Sequence, residues 1–172
     1  MTQSTKVKVV TGKVRFSYVN VFAPKASVEG GTPKYSVSII IPKSDKETVA
    51  KLQKAFEETK TASAGYFGGS VPKALKGGLR DGDMEKEDPA YEGCYFINAN
   101  SVQRPGVVDQ DLNPILDQSE FYSGCYGRAS ITFYPYNAQG SKGIACGLNN
   151  VQKLEDGEKL GGGTTAAADF AV

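Results

Sequence analysis

The chain has 172 residues, 40% of them hydrophobic and 23% charged, with a net charge of +1. That is enough for one domain with its own core and far from the profile of a disordered chain. It contains no histidine and three cysteines without a CxxC pair, which removes the commonest general base, the commonest metal ligand and a disulfide framework. The charge is uneven: residues 1–60 carry 11 Lys/Arg against 5 Asp/Glu, and residues 61–172 carry 9 against 14. A bipolar surface follows if the fold keeps the halves apart.

Lys6–Val10 (KVKVV) alternates charge with valine. Lys13–Phe22 (KVRFSYVNVF) reads as a strand, with Val14, Phe16 and Tyr18 on a core face and Lys13, Arg15 and Ser17 on a basic outer face. A loop is predicted over Ala23–Pro33. Lys34–Ile41 (KYSVSIII) is a strand whose apolar end marks it as central. Pro42 closes it, and a helix is predicted from Asp45 to Thr61, with Ser44 as N-cap and Glu47 as its capping-box partner. Val49, Leu52 and Phe56 give that helix its apolar stripe.

Ala64–Asp83 is a Gly-rich connection long enough to suggest a functional excursion. Gly93–Ala99 is a strand, and Val102–Ser119 is broken by Pro105 and Pro114. The run Glu120–Tyr136, EFYSGCYGRASITFYPY, is then dense in aromatic rings. Its parity separates Cys125, Gly127, Ala129, Ile131 and Phe133 from Tyr126, Arg128, Ser130, Thr132 and Tyr134. The first set suits a core. The second pairs tyrosine with arginine and hydroxyls, the chemistry needed to stack on bases and meet phosphate. A turn over Asn137–Gly143 leads to a final strand, Ile144–Leu154. The expected organisation is one domain over 1–160 and a flexible tail over 161–172. Without strand–helix alternation, the expected fold is mostly β: a five-stranded oligonucleotide-binding (OB) barrel with one main helix and long loop insertions.

Several segments together resemble the single-stranded DNA-binding proteins of tailed bacteriophages and prophages. They are KVRFSYVNVF (13–22), KYSVSIIIPKSDKET (34–48), GGLRDGD (77–83), YEGCYFINANS (91–101), YSGCYGRASITFYPYN (122–137) and GSKGIACGLNNVQKLEDGEKLGG (140–162). The resemblance implies an OB fold and a non-enzymatic, sequence-independent protein that coats single strands in phage replication or recombination. It implies ssDNA and the phage's own replication or recombination enzymes as partners, and no cofactor. Proteins of this role often end in an acidic tail with a terminal aromatic. Here the end, Ala166–Val172, holds one acid, Asp169, which departs from a tail-mediated contact.

Unspecific strand binding requires rings for bases and cations for phosphates. The candidate cations are Lys13, Arg15, Lys34, Arg80, Arg104, Arg128 and Lys142, with Lys6 and Lys8 within reach of phosphate if ordered. The candidate rings are Tyr35, Tyr66, Phe67, Tyr126, Tyr134 and Tyr136. Tyr35 shares the parity of Val37 and Ile39 and suits the core equally well. Asp81 and Asp83 stand close enough to Arg80 in sequence to pair with it.

Other classes find less support. A nuclease would need clustered carboxylates, and Glu58-Thr59-Lys60 sits late in the helix. Asp109–Glu120 has calcium-loop spacing, but Pro114 replaces the glycine of its sharp turn. An RNA-binding barrel and a structural phage protein remain alternatives. No run is long enough for a signal peptide or a membrane span, so a cytoplasmic setting is expected, which the phage resemblance implies is that of a bacterial host.

Overall fold

The computed structural model describes residues 6–26, 30–73, 75–138 and 141–160. Eight strands form one sheet: β1 (Val7–Val10), β2 (Val14–Lys25), β3 (Lys34–Pro42), β4 (Arg80–Asp81), β5 (Cys94–Ser101), β6 (Gly106–Val108), β7 (Tyr126–Ala138) and β8 (Ser141–Glu155). Helix α1 (Lys46–Ala62) follows β3, and the short α2 (Gly82–Glu85) follows β4. The order across the sheet is β1-β7-β2-β3-β5-β8-β6, with β4 on β5 and a further β7–β8 pairing.

That topology corrects the expected five-stranded OB barrel. The β7–β8 pairing links β7, β2, β3, β5 and β8 into a ring, yet the sheet is not a barrel. Two added strands occupy the edges that closure would need. β1 takes the β7 edge from Ser130 to Phe133, leaving β2 only the pairs Val14–Gly127 and Arg15–Tyr126. β6 takes the β8 edge from Asn150 to Gln152, leaving β5 the single parallel pair Asn100–Gly147. Each backbone edge accepts one neighbour, so every residue paired with an added strand is lost to the seam.

The core lies inside the ring. Val14 and Phe16 of β2, Ile39 and Ile41 of β3, and Ile131 and Phe133 of β7 are all buried there. α1 covers it with Leu52, which has no exposed surface. Burying one such side chain contributes about 1.5–3 kcal/mol. The helix starts one residue later than the Ser44 capping box implies. Asp45 is the N-cap, its carboxylate accepting the Thr48 N–H at 3.2 Å. The Thr48 hydroxyl meanwhile accepts the Gly12 N–H and ties the helix to the β1–β2 turn.

Two further expectations change. Tyr18 is 60% exposed at φ +48°, not core. The pairing of β2 with β3 slips between Ser17 and Asn20, and that bulge breaks the alternation. The 64–83 excursion is docked against the sheet. Phe67 is buried, and the Ile144 N–H donates to the Lys76 carbonyl at 2.9 Å. The tail, 161–172, lies outside the described residues.

Candidate nucleic-acid interface

β7 keeps the predicted parity from Tyr126 to Tyr136. Gly127, Ala129, Ile131, Phe133 and Pro135 are buried, while Tyr126, Arg128, Ser130, Thr132, Tyr134 and Tyr136 alternate on the outer face. Two glycines of β8 let the last two rings lean across the neighbouring strand. A Cβ on Gly147 would stand 3.2 Å from the Tyr134 ring, and one on Gly143 would stand 2.6 Å from Tyr136.

At one end of this face Tyr126 meets two cations at the start of β2. Lys13 Nζ and Arg15 Cζ each lie 5.3 Å from its ring centroid. The Arg15 guanidinium is fixed there: Nε donates to the Gly124 carbonyl at 3.1 Å and Nη2 to the Glu158 carbonyl at 2.8 Å. Lys13 pairs with Glu155 on the surface, an exchangeable contact worth little by itself. Arg128 is exposed, two residues further along β7, with Nε donating to the Thr11 carbonyl at 3.1 Å.

At the other end a groove of about 400 Å³ opens between Lys6, Lys34, Asn100, Thr132, Tyr134 and Asn149. Lys8 pairs with Thr132 across β1–β7, and Asn149 donates to the Thr132 hydroxyl at 2.9 Å. The two ends lie eight residues apart on β7, about 27 Å at strand rise. Lys13, Arg15, Lys34, Tyr126, Arg128, Tyr134 and Tyr136 thus share one surface.

The remaining sequence candidates stand elsewhere. Phe67 is packed in the core and offers no ring face. Tyr66 is half exposed and meets Phe67 edge to face. Tyr35 is half buried opposite Ser101. Arg80 lies over the Phe96 ring at 5.0 Å and is paired with Glu85 at 2.7 Å, which holds that carboxylate below its ordinary range. Asp81 and Asp83 pair instead with Lys43. Arg104 is exposed in the β5–β6 connection, and the Lys142 carbonyl is bound by the Lys76 N–H.

The strand pattern carried no signal for two further residues. Tyr18 is exposed through a bulge, and Lys86 Nζ lies 5.3 Å from the Tyr18, Tyr91 and Phe96 rings. The acidic loop shapes its own turn, where the Asp109 carboxylate accepts the N–H groups of Asp111 and Asn113. Among the described residues no group of three or more His, Cys, Asp or Glu could hold a metal. No helix among them is long and apolar enough to cross a membrane.

Residues 7–172 match the family described as Enterobacter phage Enc34, ssDNA-binding protein. The chain belongs to this family. The Enc34 protein solved in complex with ssDNA is similar at a TM-score of 0.75 and 26% identity, over 92% of this chain and 91% of that one. A C-terminal truncation of the Enc34 protein gives 0.72 at the same identity, over 92% and 90%. A bacteriophage T7 single-stranded DNA-binding protein shares the fold at 18% identity and a TM-score of 0.65, over 97% of this chain and 96% of that one. Protein p50 of Acyrthosiphon pisum secondary endosymbiont phage 1 is 29% identical, over 95% of this chain and 91% of its own length.

Proposed function

We propose that this member of the Enc34 family binds single-stranded DNA along the outer face of β7. It acts without catalysis and without preference for base sequence. The observation that carries the reading is the shared face itself. Tyr126, Tyr134 and Tyr136 alternate with Arg128 on one strand, with Lys13 and Arg15 at one end and Lys34 at the other. Rings accept any base by stacking, and cations follow the backbone whatever the sequence. A relative of similar fold was solved with ssDNA bound. Strand coating during phage replication or recombination, in the host cytoplasm and beside phage replication enzymes, is the role this chemistry suits.

The test is fluorescence anisotropy with labelled oligo(dT) at several salt concentrations, challenged with duplex DNA and matched RNA. Tight, salt-dependent binding that duplex fails to displace is expected. Absence of binding at low salt overturns the proposal. Equal competition by RNA reassigns the face to single strands in general.

A further inference from the structure

Beside the Tyr126 end of the face lies a second, mostly apolar hollow of about 250 Å³. Its floor is built from Ile40 and the cross-strand pair Pro42–Cys94. One wall is Tyr126 with Arg15, which is in register with both Tyr126 and Ile40. The opposite wall is Ala90, on the short turn Pro89–Tyr91. That wall is anchored. Tyr91 is fully buried and its hydroxyl donates to Ser38 at 2.9 Å, while the Asp88 carboxylate accepts the Ala90 N–H at 3.0 Å. Lys13 closes the rim. Among the described lining residues none is acidic.

We propose that this hollow receives one unstacked base of the bound strand, with Lys13 and Arg15 meeting the flanking phosphates. The inference rests on the function proposed above. The size suits it, since an apolar cavity of about 150 Å³ takes up benzene. The chemistry suits it as well. A base has an apolar face and needs an aromatic neighbour, and its phosphates need cations at the mouth. A purely hydrophobic ligand would make no use of the two cations at the rim. The hollow holds a base out of line with its neighbours, so it also sets where the strand bends.

Cys94 provides a reporter inside the site. It is half-buried, whereas Cys125 and Cys146 are buried. Burial raises its thiol, so labelling is run at mildly alkaline pH. The full-length protein is treated with a maleimide with and without oligo(dT), and anisotropy reports binding on the same sample. With oligonucleotide at about ten times its Kd, the free fraction falls to about one tenth, and Cys94 labelling slows about tenfold. An oligomer of abasic deoxyribose phosphates carries the charge without the bases and leaves the labelling rate unprotected at equal occupancy. Ala90→Phe, which fills the hollow from the half-buried position 90, weakens oligo(dT) binding about tenfold, within the range of one lost stacked base. Unchanged Cys94 labelling in protein shown to be bound overturns the hollow and leaves the β7 face standing. Equal protection by the abasic oligomer overturns it too. Failure of oligo(dT) to bind at all overturns the function from which it starts.

Discussion

Replacing Arg128 with alanine separates charge from packing on the β7 face. The side chain is exposed, and its Nε is bonded to the Thr11 carbonyl. Its charge stands between the Tyr126 and Tyr134 ends of the track, where a phosphate would pass. Removing one phosphate contact to a single strand lowers the slope of log K against log salt by about 0.7. The variant therefore binds all single strands more weakly, and its deficit shrinks about 2.6-fold between 50 and 200 mM salt. Folding stability falls by about 0.5–1.5 kcal/mol, because the Thr11 hydrogen bond is lost. Anisotropy titrations at four salt concentrations measure the slope, and a urea melt confirms that the variant is folded. Arg128→Lys keeps the charge and restores the slope. A folded alanine variant with wild-type affinity and slope would refute the placement of the phosphate track along β7.

Tyr134→Leu keeps an apolar side chain over Gly147 but loses the stacking face. Affinity drops by about 1–3 kcal/mol with the salt slope unchanged, read in the same titrations. Asp45→Ala removes the α1 cap and costs about 1 kcal/mol in a urea melt, whereas Ser44→Ala is close to neutral; the reverse ranking would restore the capping-box assignment. Gly127→Ala places a methyl on the Gln152 carbonyl at the start of β7, and strain of this kind costs about 1–3 kcal/mol by thermal or urea melt. Lys43 holds Asp83 below its ordinary range, helped by the Gly93 N–H. A depressed carboxylate stabilises the fold above its unfolded value, near pH 4, and that contribution is lost as pH falls through the lower folded value. Lys43→Met therefore flattens the acid limb of a stability–pH curve below about pH 5. An unchanged limb would show that the β4 clamp does not depend on Lys43.

The β7 face was legible in the sequence because strand alternation is local. Once Tyr126–Tyr134 is a strand, the Cβ direction sends Ala129, Ile131 and Phe133 one way and Arg128 and Tyr134 the other. The same logic located α1 and the apolar end of β3. It failed at Tyr18, where one bulge reverses the faces of β2, and at Phe67, whose docking depends on the distant core. Likewise, the cap passed from Ser44 to Asp45, because the strand end and the Gly12 turn fix where the helix begins.

Amino-acid order by itself determined the long strands, the main helix and the tyrosine–arginine alternation of β7, because each rests on contacts within a few residues; the short β4 and β6 fell in stretches read as a Gly-rich connection and a proline-broken loop. Which strands meet was decided only in three dimensions. The edges of β7 and β8 went to β1 and β6, so the ring stayed short of a barrel. The same pairing set Arg15 against Tyr126, and Pro42 and Cys94 beside Ala90. Backbone edges are chemically alike, and competition among them is settled by the geometry of the whole sheet.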